Sequence, residues 1–315
     1  MATQTIALSA LKPSKAAAAP AAGADAGESA AHAPHEEEES TYKLHRRFDR
    51  MGRLVGDRGM ARLFASHVMV IGLGGVGSWA AESLVRSGVG RLTIVDFDLI
   101  CVTNANRQLH AMRGTTGKPK SEVMAERLRA INPRCTVEAI RAFYNEATSE
   151  EILARAPDLV IDAIDNLRAK THLIATCYRR KIPLVVSGGA SGRLDATRIR
   201  EAEITQVAGD PFLAATRKIL RQHHDMPRGD ERWGIQAIYS NEPVAEPLDL
   251  DYDGGQGFRC VCPQGQDSPH ACEHRNVIYG TASFVTGAFG LACAASATRI
   301  LLGDALPRPV QPASE

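Results

Sequence analysis

The stretch Val68-Met-Val-Ile-Gly-Leu-Gly-Gly-Val-Gly-Ser78 constrains the fold more than any other part of this chain. A short apolar run ends in glycines at Gly72, Gly74, Gly75 and Gly77, and Ser78-Trp-Ala-Ala-Glu-Ser-Leu-Val-Arg86 then starts a helical pattern. Strand, tight turn and helix in that order are the context that gives a glycine motif meaning. Glycines let the backbone turn sharply and approach phosphates, and a helix N-terminus offers unpaired N–H groups and the positive end of its dipole to an anion. A nucleotide-binding start is expected, and the motif alone does not say which nucleotide.

The rest of the chain alternates in the same way. Arg91–Asp96 reads as a second buried strand. Lys120–Ile131 has helical spacing, with Val123, Met124, Leu128 and Ile131 on its apolar face. Cys135–Ile140 alternates like a strand, and Asp158–Asp162 and Ile182–Ser187 are apolar strand-like runs. Between the last two, Arg168–Arg180 reads as a helix stopped before Pro183. Such alternation predicts an α/β fold with a doubly wound, mostly parallel, Rossmann-like sheet and right-handed crossovers. Ligands in these sheets bind at the carboxyl ends of the strands. Residues 201–275 are less regular, with a helix-like segment over Pro211–His224, and read as a C-terminal elaboration of the same core. The apolar stretch Gly280–Leu302 is rich in small residues and carries Arg299, which favours a buried helix packed on the sheet over a membrane span.

Residues 1–43 are expected to be a disordered, alanine-rich tail, residues 44–302 one folded domain and residues 303–315 a flexible tail. After Leu11 the first forty residues hold no large apolar residue with which to offset their ordering entropy. Its Lys12 and Lys15 stand against Asp25, Glu28 and Glu36 to Glu39, so residues 1–40 carry −4 and the remainder +5 of a net charge of +1. That is compatible with RNA binding without demonstrating it. Seven scattered cysteines, with no export signal, predict a reducing cytoplasm rather than a disulfide scaffold.

Two nucleotides compete for the glycine turn. Asp96, at the end of the second strand, would bond ribose hydroxyls in NAD or in ATP alike. The residues that follow shift the balance. Asp96-Phe-Asp98 leads to Asn104-Ala-Asn106-Arg107-Gln108, then to Lys120, and later to Asp162-Ala-Ile-Asp165-Asn166. Arg107 and Lys120 are cations where a polyphosphate needs neutralising. Asp165 is a strand-end carboxylate suited to Mg²⁺. Hydride transfer needs neither. Each residue alone would pass for a surface ion pair or a cap; their joint order and spacing would not.

At this point the sequence resembles the ubiquitin-activating-enzyme-like family, which adenylates carboxylates with ATP. The residues that carry the resemblance are Gly72–Ser78, Asp96 to Asp98, Asn104–Gln108, Lys120 and Asp162–Asn166. It implies ribose binding by Asp96, phosphate contacts from Arg107 and Lys120, and Mg²⁺ at Asp165. It also implies a homodimer in which an N-terminal arginine, Arg50 or Arg53, reaches the partner's ATP. Within that family the chain looks most like the tRNA threonylcarbamoyladenosine dehydratases, through Ser187–Thr197, Tyr239–Pro243 and Gly280–Gly290. The implied substrate is the threonylcarbamoyladenosine of a tRNA. Its carboxylate would attack the α-phosphate of ATP, and the carbamoyl group would then close a ring and expel AMP. Arg179, Arg180, Lys181, Arg193, Arg217, Lys218 and Arg221 are candidate RNA contacts.

Cys260, Cys262 and Cys272, with His270 and His274 nearby, lack the paired Cys-x-x-Cys spacing of zinc-holding sulfur-carrier activators. They read either as three zinc ligands completed by a histidine or as free thiols in a loop. A monovalent cation and a sulfur-transfer partner stay open. Three other readings are carried: adenylation of the C-terminal glycine of a ubiquitin-like sulfur carrier, a nicotinamide-dependent oxidoreductase, and a non-enzymatic RNA-binding module.

Overall fold

A computed structural model describes residues 46–229, 231–251 and 278–306. Helix α1 (Asp49–Ala65) leads into β1 (His67–Ile71), α2 (Gly77–Ser87) and β2 (Arg91–Val95). The alternation continues through α3 (Lys120–Ile131), β3 (Thr136–Ile140), α4 (Glu146–Leu153), β4 (Leu159–Asp162), α5 (Leu167–Arg180) and β5 (Leu184–Ser187). The later elements are β6 (Ile199–Glu203), α6 (Pro211–His223), β7 (Gln236–Ser240) and α7 (Ser283–Leu302).

The strands form one sheet in the order β3-β2-β1-β4-β5-β7-β6. Every neighbouring pair is parallel except β6 with β7. The winding reverses between β1 and β4, which opens a crevice at their carboxyl ends. Strands β1, β4 and β5 are buried along their whole length, as expected of continuous apolar runs covered on both faces. Side chains alternate across the sheet. Val68 and Val70 join the core under α2, α3 and α7, whereas Met69 and Ile71 join the core under α4, α5 and α6.

The segment expected to be irregular supplies two strands of this sheet. Strand β6, Ile199-Arg-Glu-Ala-Glu203, lies at the edge and pairs antiparallel, with Arg200 and Glu201 exposed. A charged edge strand resists further pairing and carries no apolar run to announce it.

Helix α7 is long and apolar enough to cross a membrane by length and composition, yet 61% of its apolar window is buried within the protein. It lies against α2 at close range. A Cβ on Gly290 would stand 2.4 Å from the Val76 carbonyl oxygen and 2.7 Å from the Trp79 Cβ. This is the core helix that Gly280–Leu302 predicted. Its end packs on α1, where Phe48, Val55, Met60 and Leu63 surround Leu302. The fold continues past Leu302 into a turn over Gly303–Ala305, whose Asp304 pairs with Arg58 and Arg62.

Candidate active site

The glycine turn leaves β1 at Gly72, where φ is +92° and the N–H donates to the Val95 carbonyl at 2.9 Å. A Cβ at Gly72 would lie 2.7 Å from the Ala163 carbonyl oxygen, and one at Gly77 would lie 1.8 Å from that of Gly72. No side chain fits at either position. At Gly75 a Cβ would come within 3.1 Å of Thr286 and 3.2 Å of the Arg107 Cγ, whereas at Gly74 it would meet only the Gln108 amide nitrogen, at 4.0 Å. The first two glycines are therefore demanded by the turn itself. Gly75 lets Arg107 and the start of α7 approach, and Gly74 faces room. Helix α2 starts with no side-chain cap and no acidic residue in its first turn; the Ser78 N–H donates to the Gly74 carbonyl at 3.2 Å, and the positive end of the helix dipole faces the turn.

Asp96 extends from the end of β2 and is buried. One carboxylate oxygen accepts the Leu73 N–H at 2.6 Å and the other accepts the Asp98 N–H at 2.9 Å. It thus ties the glycine turn to the loop after β2, and each oxygen keeps a second lone pair for a ligand hydroxyl. Burial, together with the Asp98 carboxylate, pushes the Asp96 carboxyl up against the pull of Lys120.

Lys120 opens α3 with its side chain 7% exposed, and its ammonium donates to Asp98 at 2.7 Å. Burial alone would depress this ammonium, but Asp96, Asp98 and Asp165 raise it, so it stays charged. The lysine thus sits in the field of three carboxylates drawn from the ends of β2 and β4. Asp165 is the exposed member of the three.

The Asp165 loop is held from below. Asp162 and Lys170 are fully buried and 3.0 Å apart. Asp162 accepts the Ile164 N–H and Lys170 donates to the Ile164 carbonyl, each at 3.0 Å. One ion pair thereby fixes both sides of the residue before Asp165. A buried ion pair is a costly way to build stability, and here it fixes the loop conformation.

The remaining predicted residues fall nearby with mixed duties. Arg107 donates to the Thr103 carbonyl at 2.9 Å and to Asn106 at 3.0 Å, and its own carbonyl accepts the Trp79 indole N–H. Asn106 donates to the Thr281 carbonyl at 2.9 Å, linking this loop to the entry of α7. The Asn104 amide oxygen closes its own turn on the Cys101 N–H, and Asn166 caps α5 through the Ala169 N–H. Arg50 and Arg53 are exposed on α1, with Arg53 paired to Asp49 at 3.0 Å. Cys260, Cys262 and Cys272 lie outside the described residues. Cys101, Cys135, Cys177 and Cys293 are buried free thiols, as packing residues would be.

Two residues that sequence reasoning gave no role belong to the site. The Gln108 amide nitrogen faces Gly74, and its oxygen lies 3.0 Å from the His110 ring nitrogen Nε2. His110 is fully buried, and burial beside the Lys120 ammonium lowers its pKa to about 3, so the ring is neutral. The clue available was Gln108 itself, which stands inside the Asn-x-Asn-Arg-Gln run.

Residues 48–313 match the ThiF family. The chain belongs to that family. It is 48% identical over 202 residues to the tRNA threonylcarbamoyladenosine dehydratase of Haemophilus influenzae, covering 64% of this chain and 77% of that one. The crystal structure of the E. coli tRNA N6-threonylcarbamoyladenosine dehydratase in complex with ATP superposes with a TM-score of 0.71 at 35% identity, covering 83% of this chain and 96% of that one. The E. coli molybdopterin-synthase adenylyltransferase is 36% identical over 137 residues, covering 44% of this chain and 54% of that one. The doubly wound, Rossmann-like expectation thus holds, and the C-terminal elaboration is part of the same sheet.

Proposed function

We propose that this protein binds ATP in the crevice between β1 and β4 and uses it to dehydrate threonylcarbamoyladenosine in tRNA. The observation that carries the chemistry is the charged, buried Lys120 beside a glycine turn and an exposed Asp165, all at the switch point of the sheet. Likeness to named dehydratases over most of both chains supports the substrate. The molybdopterin-synthase adenylyltransferase matches less than half of this chain, so a carrier-protein substrate has narrower support.

The chain's own residues act by positioning and by charge. The glycine turn and the uncapped start of α2 receive the phosphates. Asp96 and its loop meet the ribose. Arg107 and Lys120 neutralise charge that builds on pyrophosphate as the threonyl carboxylate attacks the α-phosphate. The carbamoyl group then attacks the activated carbonyl within the same molecule, AMP leaves, and the net loss is one water. An intramolecular closure needs no protein nucleophile, only a held geometry. Asp165 fits Mg²⁺, a hard cation that pairs one or two carboxylates with substrate phosphates; when bound it would supply further charge neutralisation there.

A second copy completes the assembly in this reading. Helix α7 leaves Phe284 57% and Leu291 50% exposed, with Ala288 and Ala295 between and beyond them at helical spacing. An apolar stripe on a core helix suits a self-complementary contact. The resemblance would then bring Arg50 or Arg53 to the partner's nucleotide.

The test is direct. Protein, ATP, Mg²⁺ and tRNA carrying threonylcarbamoyladenosine are incubated, the tRNA is digested and its nucleosides are weighed. The expected result is an ATP-dependent loss of one water from that nucleoside, abolished by Asp165→Ala and Arg107→Ala. No loss and no AMP with tRNA, but pyrophosphate exchange that needs a ubiquitin-like carrier, would replace the substrate and keep the adenylation.

A further inference from the structure

Helix α6 starts at the same sheet edge as the candidate site. Its N-cap, Asp210, accepts the Leu213 N–H with one oxygen and the Gly189 N–H, just beyond β5, with the other. Its Arg217, Lys218 and Arg221, with Arg228 and Gln222, line an open cleft of about 470 Å³ in which none of the described lining residues is acidic.

The bland reading is a solvated basic face, and two features argue against it. Arg217 and Arg221 are half-buried and held in place rather than waving in water. Arg217 donates to the Ile204 carbonyl at 3.1 Å. Arg221 donates to the Gly229 carbonyl at 3.4 Å and lies 5.5 Å over the Trp233 ring, while its buried Nε has no partner. Asp210 and Glu203 face Arg217 from behind, yet burial and the neighbouring Arg221 still lower its pKa. The second feature is that Lys218 and Arg228 are exposed and make no hydrogen bond or ion pair among the described residues. Two fixed guanidiniums and two cations without a partner among the described residues surround one concavity, an arrangement suited to an anion that none of the described lining residues provides.

Helix α6 spans about 20 Å at 1.5 Å per residue, long enough for several phosphates of a polymer. We propose that this cleft grips the phosphodiester backbone of the tRNA and sets RNA affinity rather than chemistry. The inference rests on the tRNA reading above. Arg193, by contrast, is not an RNA contact: it is buried, 3.5 Å from Asp210 and bonded to the Ser240 and Glu242 carbonyls.

The test uses the full chain and the double variant Lys218→Glu/Arg228→Glu, chosen because neither residue has a partner among the described residues. Binding of labelled tRNA is followed by fluorescence anisotropy across a salt series. The cleft predicts about tenfold weaker binding in the variant and a salt dependence shallower by roughly two in log–log slope, one for each lost phosphate contact. KM for tRNA should rise by a similar factor with kcat and ATP affinity unchanged. If the wild-type protein binds and dehydrates tRNA and the variant does so equally well, with the same slope, the cleft assignment fails and the dehydratase reading survives. If the wild-type protein neither binds nor dehydrates tRNA, both fall. Inorganic phosphate titrated alone is the last arm. Saturable phosphate binding that the variant loses, with tRNA affinity intact, would assign the cleft to a free anion and overturn the proposal.

Discussion

Lys120 shows how one side chain is made both buried and charged. Its ammonium is almost wholly out of water, and the Asp98 carboxylate at 2.7 Å, with Asp96 and Asp165, supplies what water would have supplied. The same cation affects its neighbour. His110, buried beside it, is kept neutral, with its pKa lowered from 6.5 to about 3. The linkage has a definite sign. A histidine whose folded pKa is depressed contributes stability that is complete above the unfolded value and is lost as pH falls toward the folded one. Between about pH 6.5 and about pH 3 this group should therefore cost the folded state about 1.4 kcal/mol per pH unit. Urea unfolding at pH 7 and pH 5, run on the wild type and on His110→Asn, isolates the contribution: the drop between the two pH values should be smaller in the variant. Equal drops in the two proteins would mean that His110 titrates alike in the folded and unfolded chain.

Among the elements, α2 and α7 carry the most informative contact. A Cβ on Gly290 would collide with the turn that begins α2, and one on Gly287 would lie 3.4 Å from the Trp79 ring. The nucleotide turn is thus pressed from outside by a helix some two hundred residues later in sequence. Gly290→Val should push the two helices apart, because its nearest obstacles are backbone and Cβ atoms that cannot rotate away. A loss of about 1–3 kcal/mol is expected from such overpacking, and ATP affinity should weaken with it. A variant of unchanged melting temperature and nucleotide affinity would show that the helices slide freely. At this scale the sequence was readable where the physics is local. Helix α3 matches the predicted Lys120–Ile131, and β1, β2 and β4 were visible as apolar runs because both their faces are covered. Helix α4 and strands β6 and β7 were not, since they are short and, for β6, charged. Their existence depends on neighbours that only folding supplies.

For the molecule as a whole, the apolar stripe along α7 carries the proposed pairing of two copies. Phe284→Asp with Leu291→Asp should convert a dimer to a monomer in light scattering, with the monomer's secondary structure retained. A wild-type protein that is monomeric at micromolar concentration would end that proposal. Local order of residues was enough to predict the nucleotide turn, the winding of the sheet and the cations and carboxylates around the crevice. Glycine spacing and apolar runs reflect backbone geometry and burial, and both are set over a few neighbouring residues. The chain order alone could not reveal that Asp162 and Lys170 clamp Ile164, that His110 stays neutral behind Gln108, or that Arg193 is buried while Arg217, Lys218, Arg221 and Arg228 share one cleft. A cation reads the same in sequence whether it faces water, a carboxylate or another cation. Which of these it meets is settled by segments brought together from distant parts of the chain, because desolvation and Coulomb energy depend on distance in space.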